Sequence, residues 1–242
     1  MKNTVNIGIP SKGRLRKDVL KIFKRKKLKL ISERGERDLI GSIKNKKNLK
    51  ILYLHAREII ERLGDGSLDI GFSGFDLFKE SEFNTQKKIN LVKKYDFGKA
   101  NLVVAIPDPW IDVQTVADLE EIAFEFRDKK KKRLRVATKY PNLTRDFLFS
   151  KGVTQFQIVE SLGATEVYPF TGSANLISDI TSTGKTIKSN NLRILKDGEI
   201  LKSQACVFTS KKSFSKKGLN LSLIHISEPT RQEAISYAVF CL

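Results

Sequence analysis

The chain has 242 residues, 40% of them hydrophobic, enough to bury a sizeable core as one large or two smaller domains. No apolar run approaches the ~18 residues of a membrane span, and the apolar part of residues 1–15 is too short and interrupted for a secretion signal. The formal charge is +18, but the cations are scattered apart from short clusters such as 129–132, and Asn and Ile are frequent as A/T-rich coding favours, so the charge reads as solvated surface attractive to polyphosphates rather than a nucleic-acid stripe.

In chain order, strand and helix patterns alternate. Residues 5–9 read as a strand and 11–14 as a loop feeding a helix over 17–26. A buried strand at 50–54 precedes a helix at 56–63, which carries Ile59, Ile60 and Leu63 on one face and ends at Gly64-Asp65-Gly66. Residues 68–72 form a short buried strand that runs into the Ser73-Gly74 turn and a further helix. Strands at 89–95 and 102–106 flank Asp96-Phe97-Gly98, and Pro107-Asp108-Pro109 marks a surface turn. The helix at 116–126 has acids early and a basic run after it, which suits its dipole. A strand at 134–137, a helix at 143–150, a strand at 156–159, a helix at 174–180 and strands at 192–201 and 205–209 complete the series. This βαβ alternation predicts an α/β fold of mainly parallel sheets, with the loops at strand carboxyl ends carrying the chemistry.

Residues 166–187, EVYPFTGSANLISDITSTGKTI, are the densest in chemistry. Gly184 lets the backbone turn closely over an anion, and successive N–H groups in such a turn form a concave anion site. The hydroxyls of Ser182, Thr183 and Thr186 add donors, and Lys185 adds positive charge. Asp179 is placed to accept hydrogen bonds from sugar hydroxyls or to hold a metal ion that sits on phosphates. Together these groups predict a sugar-phosphate site. The G-x-x-x-x-G-K-[ST] spacing of a P-loop is absent.

The arrangement Glu166, Gly172, Ile177-x-Asp179-Ile180, Thr183-Gly184-x-Thr186 resembles the signature of the ATP phosphoribosyltransferase family, which opens histidine biosynthesis. Ile187 stands where Leu or Met is usual, and Asn191 where Gly is more frequent. Pro10-Ser11-Lys12-Gly13-Arg14-Leu15 is similar to the family's P-K-G-R-L loop, and Asp69-Ile70-Gly71-Phe72-Ser73-Gly74-Phe75-Asp76 to its D-L-G-I-x-G-x-D segment. Asp96-Phe97-Gly98 and Ala137-Thr138-Lys139-Tyr140-Pro141 follow in family order. His55-Ala56-Arg57-Glu58-Ile59-Ile60 lacks the first arginine and the proline of an R-P-R-D-I-P-like stretch.

The resemblance implies two α/β lobes of the type II periplasmic-binding-protein kind with substrates in a cleft between them. The first lobe would be 1–98 plus 189–220 and the second 99–188, with crossovers near 96–98 and 190–193. It implies attack by adenine N1 of ATP on the anomeric carbon of phosphoribosyl pyrophosphate, with Mg²⁺ as cofactor and pyrophosphate leaving. A ring nitrogen attacks without deprotonation, so no acid–base residue is called for and the work is electrostatic. On this resemblance Ser182, Thr183, Gly184, Lys185 and Thr186 hold the 5′-phosphate. Asp179 binds ribose hydroxyls, Glu166 joins it or orders the second lobe, and the metal ligands stay unassigned. Lys12, Gly13 and Arg14 meet pyrophosphate or ATP phosphates. Arg37, or Arg34 in a shifted alignment, and Arg57 contact ATP or the departing pyrophosphate, with Lys12 and Arg37 the main electrostatic groups. Gly71 and Gly74 let the backbone approach the nucleotide, and Asp69 either orients that loop or serves structure. His55 reads as structural and Cys206 as core. The resemblance further implies a cytoplasmic short-form subunit in a hetero-oligomer with a regulatory subunit resembling histidyl-tRNA synthetase, with no nucleic acid or membrane partner.

Residues 221–242 stand apart. Residues 1–220 hold 32 lysines and this tail none. Its LSLIHISEPTR resembles a translated sequencing-library adapter followed by an index, so the tail is expected to be artefactual and is left out of the reading. On that expectation the natural chain continues past Asn220 with a closing helix. Removing the tail, with Arg231 against Glu228 and Glu233, raises the charge by one and leaves Cys206 with no disulfide partner. Two rival readings remain in view. A non-enzymatic two-lobed solute-binding module has no need of the Asp179 to Thr186 constellation. Another phosphoribosyltransferase class places two adjacent acids after an apolar strand, whereas Ser178 here precedes a single Asp179 in a helix-like run.

Overall fold

Val5, Ile7 and Ile9 have no solvent exposure in strand β1 (Val5–Pro10), and Gly8 between them is buried too, so this strand is covered on both faces. The computed structural model describes residues 4–31 and 39–213. Arg34, Arg37, residues 214–220 and the tail at 221–242 lie outside the described residues. The chain divides into two compact units, passing from the first to the second after Gly98 and returning after Ser203.

In the first unit, β1 leads to helix α1 (Gly13–Arg25), and β2 (Leu30–Ile31), β3 (Ile40–Ile43) and β4 (Lys46–Leu54) follow. Next come α2 (Ala56–Asp65), β5 (Ile70–Gly74), α3 (Phe75–Glu80), α4 (Phe83–Lys87) and β6 (Ile89–Lys94), and β12 (Ala205–Ser210) completes the sheet. The order is β2-β3-β4-β1-β5-β12-β6, with β4, β1 and β5 mutually parallel and the other pairings antiparallel. Alternation along β12 shows how the two faces are used. Val207 packs with Val19 and Phe23 of α1, while Cys206 and Phe208 pack with Ile59, Ile60 and Leu63 of α2. Full burial of a side chain such as Phe208 contributes roughly 1.5–3 kcal/mol.

Gly8 and Gly71 are register partners on β1 and β5. A Cβ at Gly8 would stand 2.6 Å from Leu68 Cδ2, and one at Gly71 would run into Ile59 and lie 2.9 Å from Leu63 Cδ1. The two glycines therefore let α2 press onto the sheet. Gly71, expected to admit a nucleotide, is buried beneath this helix and serves packing instead.

The second unit holds β7 (Ala100–Pro107), α5 (Val116–Lys130), β8 (Leu134–Thr138), α6 (Pro141–Ser150) and β9 (Phe156–Glu160). A 3₁₀ turn (Thr165–Val167), β10 (Leu176–Thr181), α7 (Lys185–Ser189) and β11 (Leu192–Ser203) follow. The sheet order is β11-β7-β10-β8-β9, and β10, β8 and β9 are mutually parallel. Ahead of α5, Asp118 Oδ2 accepts from the N–H groups of Gln114 and Thr115, each at 2.8 Å. Those bonds hold its carboxyl below the usual range and close the start of the helix.

Three expectations change. The run at 174–180 is strand β10, because Leu176, Ile177 and Ser178 are buried within a sheet rather than along a helix stripe. Each sheet is mixed: the parallel strands sit together, and antiparallel strands fill the rest. Residues 192–203, expected in the first lobe, pair with β7 from Leu192↔Pro107 to Ser203↔Ala100, so the return crossing falls after Ser203 rather than near 190–193.

Candidate active site

In each unit most of the described predicted residues lie toward the carboxyl ends of the parallel strands, where open α/β sheets place their ligand loops, with Gly71 and Asp69 as exceptions. In the first unit, β1, β4 and β5 end at Pro10, Leu54 and Gly74. Ser11 N–H donates to Leu54 O at 2.8 Å, tying the loop after β1 to the end of β4. Lys12 caps α1, and Gly13 adopts φ +84° with open space around its would-be Cβ, so backbone conformation rather than crowding favours glycine there. Arg14 is exposed and lies 4.0 Å from Asp18. His55 caps α2, its Nδ1 accepting from Arg57 N–H at 3.4 Å, which fits the structural reading of that histidine. Ser73 Oγ donates to Ala56 O at 2.8 Å, joining the end of β5 to the start of α2.

Gly74 makes room for a neighbour: a Cβ there would collide with the carboxylate of Asp76, which is buried in the first turn of α3. Asp69 lies at the opposite end of β5. Its Oδ2 accepts from Asn6 N–H at 2.7 Å and its Oδ1 from Ser213 Oγ, so it bolts the amino edge of the sheet and does not orient the loop.

In the second unit the turn after β10 is tightened by its own threonine side chains. Gly184 sits at φ +71°, its N–H donates to Thr181 Oγ1 at 2.9 Å, and Lys185 N–H donates to Thr183 Oγ1 at 3.4 Å. Ser182, Thr183, Lys185 and Thr186 are exposed, while Ile187 anchors α7 in the core. Asp179 is half-buried on β10, and its Oδ1 accepts from Ile180 N–H at 2.8 Å. Burial pushes its carboxyl above the ordinary value. The Ile180 bond and the Lys139 charge pull it down, nearby Glu166 pushes it up, and the Thr165 hydroxyl lowers it. Glu166, Thr165 and Lys139 thus all act on Asp179, which lies on the strand that leads into the turn at 182–186.

Beneath them runs a row of hydroxyls. Thr138 and Ser178 are register partners on β8 and β10, and Thr144 of α6 donates to Ser178 Oγ at 2.9 Å. Lys139 and Thr165 had been given no role from the sequence. The available signal was Lys139's position, directly after a strand within the Ala137-Thr138-Lys139-Tyr140-Pro141 motif.

The family described as ATP phosphoribosyltransferase matches residues 55–228. The chain belongs to the ATP phosphoribosyltransferase family. It is 46% identical over 213 residues to the ATP phosphoribosyltransferase of Nitrobacter winogradskyi, covering 88% of this chain and 66% of that protein. It is 41% identical over 215 residues to the one of Brucella melitensis biotype 2, covering 88% of this chain and 93% of that protein. The chain thus spans just under two thirds of the length of the Nitrobacter relative. Among solved structures it is similar to the ATP phosphoribosyl transferase (HisG:HisZ) complex from Thermotoga maritima, at TM-score 0.72 and 26% identity over 97% of this chain and 100% of that chain.

A substrate binding protein of an amino acid ABC transporter superposes at TM-score 0.54 with 14% identity, over 93% of this chain and 92% of its own. That likeness is one of fold, and it agrees with an α/β architecture of the periplasmic-binding type. Of the argument against the rival phosphoribosyltransferase class, the helix-like run falls, since Asp179 lies within a strand, while the single acid after Ser178 stands; family membership also sets that class aside.

Proposed function

We propose that this chain transfers the phosphoribosyl group of phosphoribosyl pyrophosphate to N1 of the adenine of ATP, giving phosphoribosyl-ATP and pyrophosphate. The observation that carries the reading is Asp179, with Glu166 acting on it, on the strand that leads into the hydroxyl-rich turn at 182–186 of an ATP phosphoribosyltransferase-family chain. The exposed hydroxyls of Ser182, Thr183 and Thr186 and the Lys185 ammonium grip the 5′-phosphate, while Gly184 shapes the turn through its bond to Thr181. Asp179 accepts from the ribose hydroxyls, with Glu166 beside it. The N1 lone pair forms the new bond to the anomeric carbon as the bond to the pyrophosphate oxygen breaks, and both electrons of that bond leave with pyrophosphate. Within the first unit, Lys12 and Arg14 after β1 and Arg57 in α2 are assigned to contacts with nucleotide or pyrophosphate phosphates.

Among the described residues no three or more His, Cys, Asp or Glu gather in a way that could hold a metal ion. The described residues form no protein cage for the ion, and Mg²⁺ is assigned to the polyphosphate substrates themselves, as is common for this ion. The Thermotoga neighbour is a HisG:HisZ complex. By that analogy we assign this chain a hetero-oligomer with a regulatory subunit resembling histidyl-tRNA synthetase, in the cytoplasm. No helix among the described residues is long and apolar enough to cross a membrane.

The full chain, mixed with that subunit, ATP, phosphoribosyl pyrophosphate and Mg²⁺, is expected to form phosphoribosyl-ATP, followed by mass spectrometry. No product under those conditions rejects the reading. Thr186→Ala and Asp179→Ala are each expected to weaken phosphoribosyl pyrophosphate binding more than ATP binding; equal weakening rejects the residue roles.

A further inference from the structure

Strands β8 and β10 run parallel with Thr138, the last residue of β8, opposite Ser178, so the chain turns off at Lys139 next to the part of β10 that carries Asp179. The side chains of Thr138 and Ser178 turn toward Thr144 of α6. Alternation therefore sends Asp179 to the other face, where Ile177 packs and where Glu166 and the turn at 182–186 lie. The segment carrying Lys139 is held firmly. Thr138 Oγ1 accepts from Tyr140 N–H at 2.9 Å, and both of those neighbours are buried while Lys139 is half-buried.

We propose that Lys139 is a positioning residue of the sugar-phosphate site, supplying the compensating charge for the neighbouring carboxylates Asp179 and Glu166 so that Asp179 is able to accept from ribose hydroxyls. This rests on the function proposed above. The Glu166 charge disfavours the ionised form of half-buried Asp179, and a protonated Asp179 loses part of its acceptor capacity. The groups around Asp179 are few. Lys139 comes from the loop after β8, Glu166 and Thr165 from the 3₁₀ turn, and β7 presents Val103 as register partner. The lysines of α7, Lys185 and Lys188, are exposed. Lys139 is the cation whose charge acts on Asp179, and its effect opposes that of burial and of Glu166.

The test uses the full chain with its regulatory subunit. Lys139→Met is expected to lower kcat/KM for phosphoribosyl pyrophosphate about tenfold or more at pH 7 and to move the acidic limb of its pH profile up by about one pH unit, the loss of one close opposite charge. The KM for ATP is expected to stay within about twofold, and Lys139→Arg to restore the limb. An acidic limb that stays in place in Lys139→Met overturns the inference, because a merely structural defect lowers the rate without moving a titration.

A second arm needs no turnover. In Mg²⁺-free buffer the Asp179 carboxyl carbon, assigned by its loss in Asp179→Asn, is followed by ¹³C NMR and is expected to titrate at higher pH in Lys139→Met than in the unsubstituted chain. An unshifted titration also overturns the inference. Absence of product from the unsubstituted chain counts against the proposed reaction instead, and the NMR arm then decides the pairing alone.

Discussion

Thr144 Oγ1 donates to Ser178 Oγ at 2.9 Å, joining helix α6 to strand β10 through two side chains with no solvent exposure. Thr138 Oγ1 lies 3.3 Å from the same Thr144 oxygen. Thr144→Val keeps the shape but takes the Thr144 partner from two buried hydroxyls, of which Thr138 still accepts from Tyr140 N–H, so it is expected to cost about 1–3 kcal/mol in urea unfolding with an unchanged m-value. Adding Ser178→Ala removes the other of those hydroxyls, and the double variant should be more stable than the sum of the single losses predicts. Strict additivity would mean the row does not act as a network.

Asp179 carries a stability signature as well. Burial raises its carboxyl above the unfolded value near ~3.9, so the folded state holds that proton more tightly. The sign follows: stability from this group is fully present below the unfolded pKa and is lost as pH rises through the raised folded value. Asp179→Asn is therefore expected to melt higher than the unsubstituted chain at pH 7 and to lose that advantage by about pH 4, while binding phosphoribosyl pyrophosphate less well. Thermal unfolding at several pH values reads it, and a variant less stable at pH 7 would contradict the assignment.

Gly184 at φ +71° has only Ile194 Cδ1, at 3.9 Å, near its would-be Cβ. The demand for glycine is thus conformational and not spatial. Gly184→Ala is expected to cost about 1–2 kcal/mol, and Gly184→Asn less, because Asn tolerates the left-handed region better. Chemical denaturation that ranks Asn below Ala would refute this account.

Cys206 is 1% exposed, and burial pushes its thiol up to about 12. In a Cys241→Ser background it should resist a thiol reagent at pH 8 and react when the chain unfolds. Rapid labelling of the native protein would contradict the buried placement.

Most of the element order was legible because strands such as β1 and β12 carry apolar residues on both faces and helices such as α2 keep Ile59, Ile60 and Leu63 on one stripe. Strand β10 was not. Its Leu176, Ile177 and Ile180 fit helical spacing as well as a buried strand, and six residues give periodicity too little length to decide. The assignment of residues 192–203 failed for a related reason, since the sheet a strand joins is set by its pairing with β7, which leaves no mark on its own composition. At the site, the turn at 182–186 was readable because Gly184 and its hydroxyls are contiguous. The links of Asp179 to Lys139, about forty residues away, and to Thr165 of the 3₁₀ turn arise only from tertiary packing. Gly71 looked like a ligand-facing glycine, yet its constraint comes from Ile59 and Leu63 of a helix packed across it.

Strand β12 lies between β5 and β6, so β6 has no hydrogen-bonded neighbour until residues 205–210 arrive. During synthesis the second unit, contiguous from 99 to 203, can emerge whole and fold while the larger sheet still waits for an interior strand. A ribosome halted shortly after residue 203 clears its exit tunnel would carry one finished half and one that exposes the open edges of β5 and β6, the stage at which this polypeptide most needs a chaperone.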